Sequence, residues 1–378
     1  MSMIIPRAVA PHIEEAHKYY PVIVVTGPRQ SGKTFMCRHI FEDYKYVNLE
    51  DITSRVAATA DPGAFLESLG DRTIIDEVQN VPDLLSMIQV SVDNNPDKRY
   101  ILTGSSNFAL LQSITQSLAG RAATFTLLPF SLIEAHEAIE DKSIDSVMQS
   151  GLYPGLIAKG IPSEMFYRNY YNTYVERDLR NLLKIQNLLA FDTFIRLIAS
   201  RAGSEFNASA LAREAGVSSV TIKEWLSLLT ASYIVFPLRP YFANISKQLT
   251  KMPKIYFYDT GLLCFLLGIN SAEQLEKSPF RGAVFENLAI CELIKREYNS
   301  GKDPLIYFYR EKSGAEIDAL VSRNGRLTLY EIKSSETLRP DFIQNMKATA
   351  TLLPEVDTTT VIYNGTSIPP VAINIRDI

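Results

Sequence analysis

The sequence predicts a multidomain α/β protein: a doubly wound parallel sheet first, then a winged helix-turn-helix, then a second α/β domain. Three observations carry that reading. The chain has 378 residues, more than one core of ordinary size organises. From Pro21 to Phe130, short β-branched runs alternate with amphipathic helical stretches, the pattern of a parallel sheet covered on both faces. The octet GPRQSGKT, Gly27 to Thr34, stands between the apolar run PVIVVTG and the helical stretch FMCRHIFEDY.

The octet satisfies G-x-x-x-x-G-K-[ST] at every position. Gly27, Pro28, Arg29, Gln30, Ser31, Gly32, Lys33 and Thr34 are therefore the candidate phosphate cradle. Gly27 and Gly32 let backbone N–H groups curl round phosphates at the positive end of a helix, Lys33 reaches the β- and γ-phosphates, and Thr34 is a Mg²⁺ ligand. ATP and Mg²⁺ are the expected cofactors.

Downstream, RTIIDEVQNVPDLL puts Asp76 and Glu77 at the end of a β-branched strand. In a Walker B arrangement the first carboxylate holds a metal-bound water, which makes Asp76 a metal-site candidate. The second polarises the attacking water, so the adjacent pair points to hydrolysis. The next strand, KRYILTG, ends in Ser105, Ser106 and Asn107, where a side chain that senses the γ-phosphate is expected; Ser105 is the first candidate. Arg121 in LAGRAATF, or Arg177 and Arg180 in YVERDLR, is the candidate for transition-state charge, in cis or from a neighbouring copy.

Composition narrows the setting. No run approaches the ~20 apolar residues of a membrane span, and the first 20 residues lack a signal-peptide pattern, so a cytoplasmic protein with no membrane partner is expected. Cys37, Cys264 and Cys291 lie in apolar helical sequence and read as buried thiols. Four scattered histidines do not suggest a metal site. With a net charge of −4, contact with nucleic acid must come from local basic patches.

Between about Phe191 and Tyr241, NASALAREAGVSSVTIKEWLSLLTASYIVFPLRPY reads as helix, Gly-containing turn, helix and strand. Ser218, Ser219, Thr221, Lys223 and Glu224 start the second helix, where such proteins read DNA. Lys247, Lys251 and Lys254 follow as a wing that touches phosphates. Lid or packing duty is the alternative for this segment. After it, Asp318 lies on one strand and Glu331 and Lys333 on the next, with Glu286 on an amphipathic helix upstream. Glu331 and Lys333 are two apart and share a strand face, where Asp318 and Glu331 can hold a divalent metal.

The segments GPRQSGKT, IIDEVQNVPDLL, ILTGSSNF, LAGR and LLPFS resemble bacterial and archaeal AAA-type P-loop ATPases that carry an uncharacterised C-terminal domain. GLYPG, YVERDL, KIYFYDTGLL and RGAVFENLAICELIK extend the resemblance over nearly the whole chain. The order of Glu286, Asp318, Glu331 and Lys333 is similar to the restriction-endonuclease-like fold. The resemblance implies a P-loop ATPase core at 1–135, a helical connector at 136–189, a winged helix at 190–245 and a restriction-endonuclease-like domain at 246–378. It implies hydrolysis of Mg·ATP coupled to action on DNA. The rival is a nucleotide-dependent switch that binds a protein partner through a non-catalytic nuclease-like scaffold. A homo-oligomer is compatible with either.

Overall fold

The computed structural model describes residues 4–105, 117–173, 187–242, 251–311 and 316–378, the side chain of Asn345 apart. Its first sheet contains β1 (Val22–Thr26), β2 (Lys45–Asn48), β3 (Arg72–Asp76), β4 (Arg99–Gly104) and β5 (Ala122–Thr126). All are parallel, in the order β2-β3-β4-β1-β5. Every residue of β1 is buried, as a central strand covered on both faces requires. Val22 and Val24 pack with Ile75 and Leu102 on one face, and Ile23 and Val25 with Ile74 and Ile101 on the other. Parallel strands share one carboxyl edge, and this order puts β4 between β1 and β3 at that edge.

The second sheet has seven strands: β6 (Val235–Pro240), β7 (Lys254–Phe257), β8 (Ile306–Arg310), β9 (Glu316–Arg323), β10 (Arg326–Lys333), β11 (Val356–Tyr363) and β12 (Ala372–Asn374). Their order is β12-β11-β10-β9-β8-β6-β7. The long helix Arg281–Asn299 leads into three antiparallel strands, β8, β9 and β10. The helix Pro340–Ala350 then crosses over to β11, which lies parallel to β10.

β6 and β7 pair with each other, and β6 also pairs with β8, so the strand expected after the helix pair, and the strand that begins at Lys254, belong to the C-terminal sheet. All four residues of β7 are buried, and an apolar strand of that kind needs sheet neighbours and cover. A buried cluster running from Leu128 to Ile378 joins the helical segments to one face of this sheet. Helix Pro340–Ala350 helps close the other face through Met346. The expected connector, winged helix and C-terminal domain thus share a core.

The helix pair expected in the middle is present as Ala208–Ala215 and Ser219–Ala231. Gly216 turns the chain at φ 69°, and the Ser218 hydroxyl caps the second helix by accepting from Thr221 N–H. Ser218, Val220, Lys223 and Glu224 are exposed, while Ile222, Trp225 and Leu229 face inward. Lys251 is exposed, but Lys254 is buried as the first residue of β7 and cannot serve as a wing lysine. Lys247, Ser106, Asn107, Arg177 and Arg180 lie outside the described residues. The three cysteines are buried, and no helix among the described residues is long and apolar enough to cross a membrane.

Candidate functional site

The octet forms a loop from the end of β1 to the helix Lys33–Ile40. Gly27 has φ 143° and lies against the Leu127 backbone, where any Cβ would collide with the carbonyl. Gly32 has φ 93° and Gln30 φ 65°, so three of the eight residues hold positive φ in a tightly wound loop. Lys33 is buried, and its Nζ donates to the carbonyls of Gly27 at 3.0 Å and Pro28 at 2.8 Å. Burial pulls its pKa down to about 8 against the attraction of Glu77 and Asp76. Arg29 sits at the rim, 3.0 Å from Glu50.

At the same edge, the Thr34 hydroxyl donates to Asp76 Oδ2 at 2.8 Å and Tyr46 OH donates to the same oxygen at 2.9 Å; Thr103 of β4 donates to Oδ1. Glu77 begins a short turn at φ 54°, a conformation that costs energy in a residue with a Cβ and that clusters at functional sites. Its Oε2 accepts from Ser105 Oγ at 3.2 Å and from Gln79. The interposed strand β4 thus braces both carboxylates through Thr103 and Ser105. The donor set fits Mg·ATP: the Thr34 hydroxyl and Asp76 carboxylate are the hard oxygens Mg²⁺ takes, and the Lys33 ammonium lies within the loop.

Arg121 does not join this site. It precedes β5, whose Ala122 is level with Val22, and so lies at the amino edge of the sheet, about 17 Å of strand from the octet. Its Nε and Nη2 grip Asp93 at 2.6 and 2.8 Å. The sequence shows which residue type precedes β5 but not that β5 runs beside β1 in the same direction.

In the C-terminal sheet, Asp318 of β9 and Glu331 and Lys333 of β10 do converge. Lys333 Nζ is 2.6 Å from Glu331 and 3.7 Å from Asp318, whose Oδ2 accepts from Ile332 N–H at 2.7 Å. Burial, and next the Asp318 charge, push the Glu331 carboxyl up to about 7. Burial also raises Glu286, with Asp318 adding to the shift. Beside these lies a second lysine that sequence reasoning assigned elsewhere: Lys254 Nζ is 2.6 Å from Glu316 and 3.6 Å from Glu286, and Tyr256 OH donates to Glu286 at 2.5 Å. Among the described residues, no group of three or more His, Cys, Asp or Glu is placed to hold a metal ion. Of the expected metal set, Asp318 and Glu331 share Lys333, and Glu286 shares Lys254 with Glu316.

The segments GLYPG and KIYFYDTGLL meet around one phenol. Tyr167 OH donates to Asp259 Oδ1 at 2.5 Å, and Asp259 Oδ2 accepts from Leu152 N–H at 3.1 Å. A Cβ on Gly151 or Gly261 would occupy the space of that hydroxyl.

Compared with known families, residues 19–136 match the AAA domain, 141–273 a domain of unknown function (DUF8612), and 281–377 a domain of unknown function (DUF4143). Uncharacterized proteins of Mycobacterium tuberculosis and Mycobacterium bovis are each 32% identical over 346 residues, covering 90% of this chain and 76% of theirs. The chain belongs to the AAA family of P-loop ATPases that carries this C-terminal domain. An uncharacterized protein of Methanocaldococcus jannaschii is 25% identical over 79% of this chain and 71% of its own. A solved Walker-type ATPase of Pyrococcus abyssi aligns at 15% identity with a TM-score of 0.46, covering 70% of this chain and 96% of that one. The DUF8612 match, 141–273, covers helices and strands that contribute to the buried cluster running from Leu128 to Ile378.

Proposed function

We propose that this AAA-family chain hydrolyses Mg·ATP and couples the hydrolysis to action on DNA through its C-terminal half. The observation that carries the ATPase part is the brace across β3 and β4. Thr34 and Asp76 are held together as metal-binding oxygens, while Glu77, one residue on, is held apart by Ser105 and Gln79. Bound Mg²⁺ would neutralise charge on the β- and γ-phosphates. Lys33 would bind the same phosphates, and Glu77 would orient and take a proton from the attacking water.

Support for the DNA part is the order of helix, three antiparallel strands, helix and parallel strand in the C-terminal sheet. With Asp318, Glu331 and Lys333 on β9 and β10, this is the arrangement expected of a restriction-endonuclease-like domain. The exposed start of helix Ser219–Ala231 supplies Ser218 and Lys223 as candidate DNA contacts. One specific observation favours the rival, a nucleotide-dependent switch for a protein partner: both lysines already neutralise the carboxylates that a cleavage metal would need. Phosphate release with and without duplex DNA, across a salt series, separates the two. A DNA handler gains turnover on adding DNA and loses the gain steeply as salt rises, whereas turnover indifferent to DNA at low salt supports the switch.

A further inference from the structure

The P-loop is held from behind by a residue that no motif contains. Arg7 precedes the first helix, Ala10–His17, and is almost fully buried. Its Nη1 donates to Ser31 O at 2.9 Å, its Nη2 to Leu128 O at 2.7 Å, and its Nε to Glu134 Oε1 at 3.0 Å. The guanidinium lies 4.7 Å from the centre of the Phe130 ring. Glu134 is itself saturated, accepting from Ala8 N–H and Ser131 N–H at 2.9 Å each. One planar cation therefore ties the octet to the chain leaving β5, which only a rigid fork of donors can do.

The link to Ser31 O matters because a trans peptide points its carbonyl and its N–H in opposite directions. Anchoring Ser31 O on the protein side turns Gly32 N–H away from Arg7, and among the described residues that N–H makes no hydrogen bond. Ser31 Oγ is also buried without a partner among the described residues, so the hydroxyl does not hold this peptide in place. We propose that Arg7 is a positioning residue of the nucleotide site, setting the Ser31–Gly32 peptide so that Gly32 N–H faces the phosphates. This rests on the reading of the octet as a nucleotide cradle.

A buried ion pair is weak evidence of stability, and removing Arg7 alone strands Glu134, so Arg7→Met alone tests folding more than positioning. Two variants avoid this. Arg7→Lys keeps a charge for Glu134 but cannot bond Ser31 O, Leu128 O and Glu134 together. The double variant Arg7→Met with Glu134→Gln removes both charges. Equilibrium dialysis of the full chain against radiolabelled Mg·ATP reads stoichiometry and Kd separately, and needs no hydrolysis. The expected result is a Kd raised about tenfold in both variants, with stoichiometry near that of wild type. A wild-type Kd in both, with only the stoichiometry reduced, overturns the proposal and leaves Arg7 a support of the fold. Wild type that binds no ATP removes the cradle reading, and the proposal falls with it.

Discussion

The nucleotide site and the C-terminal site are both made of lysine and carboxylate on sheet strands, yet they handle charge in opposite ways. Among the described residues Lys33 donates to the Gly27 and Pro28 carbonyls, while Asp76 and Glu77 are held by hydroxyls and an amide. Neither Lys33 nor these two carboxylates is in an ion pair among the described residues; at the rim, Arg29 is paired with Glu50. In the C-terminal sheet, Lys254 lies within 3.6 Å of two carboxylates and Lys333 within 3.7 Å of two others. Any added cation competes with an ammonium already there. The lesson is that residue types do not define a site; the source of their neutralisation does.

The comparison breaks most easily at Lys33. Lys33→Ala removes the only ammonium of the cradle and should weaken Mg·ATP binding about a hundredfold, whereas Lys333→Ala should leave ATP affinity within about twofold; dialysis reads both. Equal losses would mean that the two regions are one site.

Acidity sharpens it. With its pKa near 8, Lys33 loses its proton above that pH in the free protein, so Kd for ATP should rise about tenfold per pH unit from about 8 toward 10. A flat profile over that range would show that Lys33 stays charged without the nucleotide.

Glu331 carries the opposite signature. Its carboxyl is raised from 4.5 to about 7, so the folded state holds that proton more tightly, and the resulting stability is full below 4.5 and lost as pH rises through 7. Glu331→Gln, neutral throughout, should raise Tm at pH 8 by about 2 °C more than at pH 5. An equal change at both pH values would show that Glu331 is ionised across the whole range.

The smallest effect belongs to Arg121. Its solvent-screened pair with Asp93 contributes little, so Arg121→Ala should leave the urea unfolding midpoint nearly unchanged. Turnover should stay within about twofold; a thousandfold loss would show that a neighbouring copy uses it in trans.

What could be read from the sequence follows the distance between the groups that act together. The octet and Asp76-Glu77 are contiguous segments whose roles need only a strand before and a turn after, and the structure joins them through Thr34. Ser105, one of three polar candidates after the next strand, lies within hydrogen-bond distance of Glu77. The distance of Arg121 from the octet in its own chain could not be read, because strand order is set by packing, which the local sequence does not record. Lys254 was read as a wing residue since its partners, Glu286 and Glu316, lie far along the chain. Arg7 was invisible: one arginine in a short N-terminal stretch has no pattern, and its meaning comes from acceptors at 31, 128 and 134.

The central claim is that Glu77 is set apart from the metal-binding pair to act on water. Single-turnover hydrolysis of radiolabelled Mg·ATP by wild type and by Glu77→Gln, at enzyme concentrations where both are saturated, tests it most directly. The account predicts that both variants bind the nucleotide and that Glu77→Gln releases phosphate about 10²- to 10⁴-fold more slowly. Phosphate release at the wild-type rate by Glu77→Gln would contradict it.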